Sequence, residues 1–264
     1  MLQDLNLLLA PLLGGWLVLA THLPLGRQVL TRGIVFIDLA IAQMAGLGVL
    51  MAGQLLGHAE HPNELPGWLG PLSPLLPLLP ELCGAAAALA GALLVAGLSR
   101  LWPERREALI GLLYIAAAST AVLWVSADPH GAQKLGALLS GDVLWVDWPA
   151  LVPLAGASAV YLGLRRLRPG LLDSGPGFYP AFALLVSLSV PLLGLYLVFA
   201  TLIVPALVAA RRLPAWLAAL LGAAAYALGL GLSWRLDLPA GPMVVLSLVG
   251  LAGVSLLRPA KLPA

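Results

Sequence analysis

The chain has 264 residues, 61% of them hydrophobic and only 10% charged, with a mean hydropathy of +0.98. Soluble domains carry about 25% charged residues, so a soluble fold is excluded and an all-helical, polytopic membrane protein is expected. Each helical span takes roughly 20 apolar residues, so about eight or nine spans consume residues 1–264 as a single transmembrane domain. The net charge of +2 says little, because in a membrane protein the distribution of charge matters more than its sum. The single Cys83 has no partner for an internal disulfide.

In chain order, MLQDLNLLLAPLLGG has no basic region ahead of its apolar run, so it reads as a retained first span, about Leu5 to Leu23, and not as a cleaved signal. A polar turn with Arg27 and Arg32 follows, then span two, about Ile34 to Leu56, which contains Asp38 and Gln43. The loop GHAEHPNELPGW leads to span three, about Leu75 to Leu98. There Gly84, Ala88, Ala92 and Ala96 recur every four residues, a small-residue face suited to close packing against another span. The basic connector SRLWPERRE precedes span four, about Ala108 to Ser126. A longer loop with Asp128, His130, Lys134, Asp142 and Asp147 leads to span five, about Ala150 to Leu164.

After the connector LRRLRPGLLDSGPGF, the apolar run from Tyr179 to Ala210 is too long for one span. It reads as two, Tyr179 to Leu193 and Tyr196 to Ala210. Its second half carries Pro205, which predicts a bend or break near Ile203 to Pro205, and ends on Arg211 and Arg212. Spans eight and nine, about Ala215 to Trp234 and Gly241 to Leu257, complete the chain. With nine spans and the amino terminus outside, 12 of the 14 Lys and Arg fall inside, and only Lys134 and Arg235 fall outside. This is the expected positive-inside bias, with the carboxy terminus inside.

There is no GxxxxGK[ST] phosphate loop, HExxH, CxxC or GxSxG, so neither autonomous ATP hydrolysis nor hydrolytic or redox chemistry has support. Asp38 and Gln43 offer oxygens that suit a divalent cation path; alternatively, Asp38 caps span two or pairs with Arg27 or Arg32. His58, Glu60 and His61, with Glu64 close by, are candidate metal ligands by residue type, or a solvated surface cluster. His22, at the inner end of span one, reads as an interfacial anchor; Glu81 lines a vestibule or reaches the headgroups.

Three strings in the carboxy-terminal half resemble the permease subunits of zinc- and manganese-type ABC importers, and more distantly those for cobalamin and siderophores. These are LGALLSGDVLWVDWPAL, GLYLVFATLIVPALVAARR and DLPAGPMVVLSLVGLAGVSLL; EALIGLLYIAAAS and LRRLRPGLLDSG fit the same order. Members of that family often carry a histidine early in span two, and here Gln43 of IDLAIAQMAGLGV falls about where it would be.

The resemblance implies a permease homodimer in a bacterial inner membrane. Two separate ATPase subunits would dock beneath it, and a periplasmic or lipid-anchored binding protein would deliver zinc or manganese from outside. It also implies a coupling region near residues 200–214, with Pro205, Arg211 and Arg212, and no cofactor bound by this chain, ATP being held by the partner. Lys134 and Arg235 are then the candidates for docking the binding protein, and nucleic acid has no part. A chelate-type ABC permease and a gradient-driven secondary transporter are the alternatives; the latter is disfavoured because no internal repeat is visible.

Overall fold

The computed structural model describes residues 2–57, 78–126, 128–141, 143–173, 177–211 and 213–257. Among these there is no strand. The helices are α1 (Leu2–Arg32), α2 (Ile37–Gly57), α3 (Leu79–Leu101), α4 (Arg106–Val125), α5 (Gly131–Ser140), α6 (Trp148–Leu167), α7 (Pro169–Asp173), α8 (Phe178–Leu193), α9 (Leu195–Arg211), α10 (Ala215–Leu236) and α11 (Ala240–Leu257). Four stretches are long and apolar enough to cross a membrane: Leu8–Arg32, Leu79–Leu101, Pro103–Val125 and Ala215–Leu236. Ile37–Gly53, Phe178–Leu193, Leu195–Arg211 and Ala240–Ser255 are shorter apolar helices. At about 1.5 Å per residue they come close to the thickness of a bilayer core. The chain is a multi-pass helical membrane protein.

Among the described residues each expected span contains a helix, and the long apolar run is split in two. The split falls at Gly194, whose φ of 79° an L side chain rarely adopts. Three expectations need correction. The polar turn after Leu23 is helix: α1 continues to Arg32, because Leu25 and Val29 extend its buried face while Arg27 points out. The loop before span five contains α5, a two-sided helix that is too short and polar to register as a span. Finally, α9 runs unbroken through Pro205, and the break lies eleven residues earlier, at Gly194.

The small-residue face of α3 packs on α2 as expected. A Cβ on Gly84 would meet Val49 at 2.7 Å, one on Gly48 would meet the Cys83 carbonyl at 2.6 Å, and one on Gly91 would meet Met44 at 3.0 Å. The descending and ascending numbers make the pair antiparallel, with backbones close enough that no larger residue fits. α1 packs antiparallel on α10 in the same way, Gly15 against the Tyr226 ring and Leu19 against Gly222.

The bundle has two chemically distinct ends. At one, the Glu107 Oε1 at the start of α4 accepts from the Val35 N–H at 2.8 Å, and the Arg32 guanidinium lies 4.2 Å from the Phe178 ring centroid. The α1–α2 turn is thus tied to the first turns of α4 and α8. Arg100, Arg105 and Arg106 belong to the α3–α4 connection at this end, and the α6–α8 connection reaches it with Arg165, Arg166 and Arg168. At the other end lie Asp128, the Asp147 that caps α6 by accepting from the Ala150 N–H, and the left-handed Asp237 that closes α10.

Candidate functional site

At the acidic end, three glycines from distant parts of the sequence converge. Gly141 (φ 68°) closes α5 and Gly194 (φ 79°) separates α8 from α9, and a Cβ on either would strike the other's backbone. Gly241, in the first turn of α11, lies against the Ser140 carbonyl. Each glycine comes from one of the three strings that carry the family resemblance. The end of α5 is therefore wedged between α8, α9 and α11, and the turn of α5 before it, with Ala137 and Leu138, lines a cavity.

That cavity measures about 470 Å³. Its lining includes Val49, Leu50 and Gly53 of α2, Val125 of α4, Leu138 of α5 and Pro191 of α8. The polar groups on its wall are Asp128 and Lys134, joined by a 2.7 Å ion pair. The Lys134 ammonium, with help from the His130 N–H, holds the Asp128 carboxyl below the usual carboxylate range. Lys134, the other sequence candidate for docking, is half exposed and paired with Asp128 within the chain. Arg235 is exposed in the last turn of α10, at this same end.

Below the cavity the bundle interior holds isolated polar groups. His22 is fully buried, which corrects its reading as an interfacial anchor. α1 extends ten residues beyond it, placing the imidazole roughly 15 Å from the helix end. Its Nδ1 lies 3.0 Å from the Val18 carbonyl and 3.1 Å from the Thr21 hydroxyl; the carbonyl can only accept, which favours the tautomer with the proton on Nδ1. Nε2 is buried without a hydrogen-bond partner. Asp38 lies inside the first turn of α2 at 1% exposure, and its Oδ1 also lacks a partner. It is therefore not a solvated cap.

Gln43 is buried too, but five residues from Asp38, about 140° around the helix. The two side chains leave α2 in different directions and do not form a chelating pair from one face. Among the described residues no three His, Cys, Asp or Glu side chains gather to hold an ion. His58, Glu60 and His61 lie outside the described residues, as does Arg212. Glu81 is exposed in the first turn of α3.

α9 faces α1 across a close seam. A Cβ on Gly26 would collide with the Leu202 carbonyl and meet Ala206 at 2.9 Å. Next to Leu202, the buried Thr201 hydroxyl bonds the Tyr226 hydroxyl of α10 at 2.7 Å and donates to the Leu197 carbonyl at 2.7 Å. Pro205 is buried in the same helix, and Arg211 is exposed at its end, where the Leu213 N–H bonds the Val208 carbonyl at 3.2 Å.

Residues 177–258, which comprise α8 to α11, match the family model described as the ABC 3 transport family. The fold as a whole is similar to that of PsaBC from Streptococcus pneumoniae, solved in complex with a Fab. That likeness has a TM-score of 0.68 at 19% identity and covers 95% of this chain and 91% of the other. No curated protein matches the chain. The family match takes in two of the three strings that carry the resemblance, those at 194–212 and 237–257, and the fold as a whole is like that of PsaBC.

Proposed function

We propose that this chain is the membrane-spanning permease subunit of an ATP-driven ABC importer for divalent metal ions, zinc or manganese. The observation that carries the reading is the family match over α8 to α11, the helices that meet α1 and α5 at the glycine wedge and the seam. The absence of a phosphate loop agrees with ATP being hydrolysed in a separate subunit. In this reading the basic end faces the cytoplasm. The turn between α9 and α10, with Arg211, Arg212 and Pro214, is the element that ATPase closure moves, and the permease works as a homodimer. A binding protein delivers cargo to the acidic end, where Arg235 is exposed to meet it.

The reading is tested by purifying the chain from its native membrane and identifying its companions by mass spectrometry. Recovery of a phosphate-loop ATPase, lost on changing Arg211 and Arg212 to Glu, is the expected result. A chain that purifies alone and moves metal into liposomes without ATP would instead be a secondary transporter.

One observation favours a second cargo class. A bare ion does not require a mainly apolar chamber of about 470 Å³, whereas a metal chelate would fill one. Competition of radiolabelled zinc uptake by its own chelates, with free ion held constant, separates the two.

A further inference from the structure

We propose that the His22 Nε2, on the seam where α1 meets α9, is a ligand station for the divalent cation as it crosses the bundle. This rests on the permease reading above. Three observations converge on it. First, Nδ1 is held between the Val18 carbonyl and the Thr21 hydroxyl, which orients the ring, and with Nδ1 donating to the carbonyl the Nε2 lone pair is the free valence. Metal-binding histidines are held in the same way, one nitrogen donating to a carbonyl while the other binds the ion. Second, that lone pair is fully buried and has no donor. An unsatisfied acceptor within an apolar bundle is costly, and an ionisable side chain at membrane depth points to function.

Third, the neighbouring stretch of α9 has an acceptor of its own. Pro205 has no N–H, so the Thr201 carbonyl four residues earlier loses its usual helical donor. Gly26, one turn below His22 on the same side of α1, packs directly on the residue after Thr201. The His22 Nε2 and the Thr201 carbonyl are thus acceptors that lack a donor, which a cation satisfies and an anion does not. Imidazole nitrogen suits zinc better than calcium or magnesium, and carbonyl oxygen also suits manganese.

The test uses Mn(II) as probe and electron spin-echo spectroscopy to detect coupling to imidazole nitrogen in the purified full-length chain. The chain has four histidines, so the background is His58→Gln, His61→Gln and His130→Gln, which leaves His22 as the one imidazole. Nitrogen coupling is expected in this background and absent after a further His22→Asn. Asn can still donate to the Val18 carbonyl but has nothing at the Nε2 position. The thermal midpoint without metal should therefore hold, while Mn(II) affinity falls by about tenfold or more.

No nitrogen coupling at saturating Mn(II), or coupling unchanged by His22→Asn, overturns the proposal. A midpoint that drops equally with and without metal assigns His22 a purely structural role and also overturns it. The ATPase co-purification is scored separately. Coupling without an ATPase partner would keep the station and reject the importer, and the reverse result would do the opposite.

Discussion

Gly141 and Gly194 lie backbone against backbone, both at positive φ, where the end of α5 meets the break between α8 and α9. Neither position accepts a side chain, for two independent reasons: the left-handed conformation and the space already taken by the facing peptide. Gly194→Ala is expected to lower the apparent thermal midpoint in detergent and to reduce the yield of folded protein. The strain alone costs roughly 1–3 kcal/mol before the collision is counted. Gly163→Ala, within α6 and facing open space, serves as the control and should leave the midpoint unchanged. Equal behaviour of the two variants would show that the wedge contributes nothing to stability.

The Thr201–Tyr226 hydrogen bond joins α9 to α10 in a fully buried setting. Tyr226→Phe removes it while the Thr201 hydroxyl keeps its bond to the Leu197 carbonyl, so no new orphan is made on α9. A modest loss of about 1 kcal/mol is expected, typical of interhelical hydrogen bonds in membranes. Gly15→Leu, by contrast, would drive a side chain into the Tyr226 ring and should cost more. Thermal unfolding of Thr201→Val, Tyr226→Phe and the double variant gives the coupling directly; strict additivity would deny the bond any energetic role.

Much of this architecture is legible in the sequence, and the failures have physical causes. Apolar runs and the distribution of arginines give the spans, because hydrocarbon thickness and charge exclusion act on each segment separately. The small-residue row on α3 is legible because close backbone approach leaves a periodic trace. The end of α1 is not, since Arg27 and Arg32 read as a connector. In the fold, Arg27 leaves the helix on the exposed side while Leu25 and Val29 keep the other side buried. That nine-residue error in the helix end is what places His22 at the interface when it lies deep in the bundle. α5 is missed because its ten residues have one apolar side and one polar side, a pattern that spans do not show. The three glycines are each visible in the sequence, but their convergence is a tertiary fact.

The Asp128–Lys134 pair sits on the wall of the cavity at the acidic end, between α4 and α5. The Asp128 carboxyl is held below its ordinary range, chiefly by the Lys134 ammonium. A depressed carboxylate stabilises the fold above its unfolded pKa, and that stabilisation disappears as pH falls through the folded value. The pair should therefore persist through neutral and mildly acidic pH and be lost only below the normal aspartate range. Lys134→Gln is expected to leave the midpoint at pH 7 nearly unchanged, as exposed ion pairs usually do. It should also raise the pKa of Asp128, measurable by titration of a selectively labelled carboxyl. An unmoved pKa would mean that the Lys134 contact does not persist in solution.

Pro205 is buried within a continuous α9, ahead of the proposed coupling turn, and it frees the Thr201 carbonyl at the seam with α1. Pro205→Ala would restore the N–H that this carbonyl lacks. Folding should be unharmed, and the midpoint should hold or rise, since an interior proline costs a helix about 3 kcal/mol where nothing compensates. Co-purification of the ATPase should also survive, because Arg211 and the turn to α10 are untouched. Transport is where the change should be felt. A carbonyl closed by its own helix no longer serves the seam, and a stiffer α9 transmits motion differently, so ATP-driven uptake is expected to fall while ATP hydrolysis continues. Uptake and hydrolysis measured side by side in proteoliposomes decide the matter: unchanged uptake would remove Pro205 from the mechanism and leave it as packing alone.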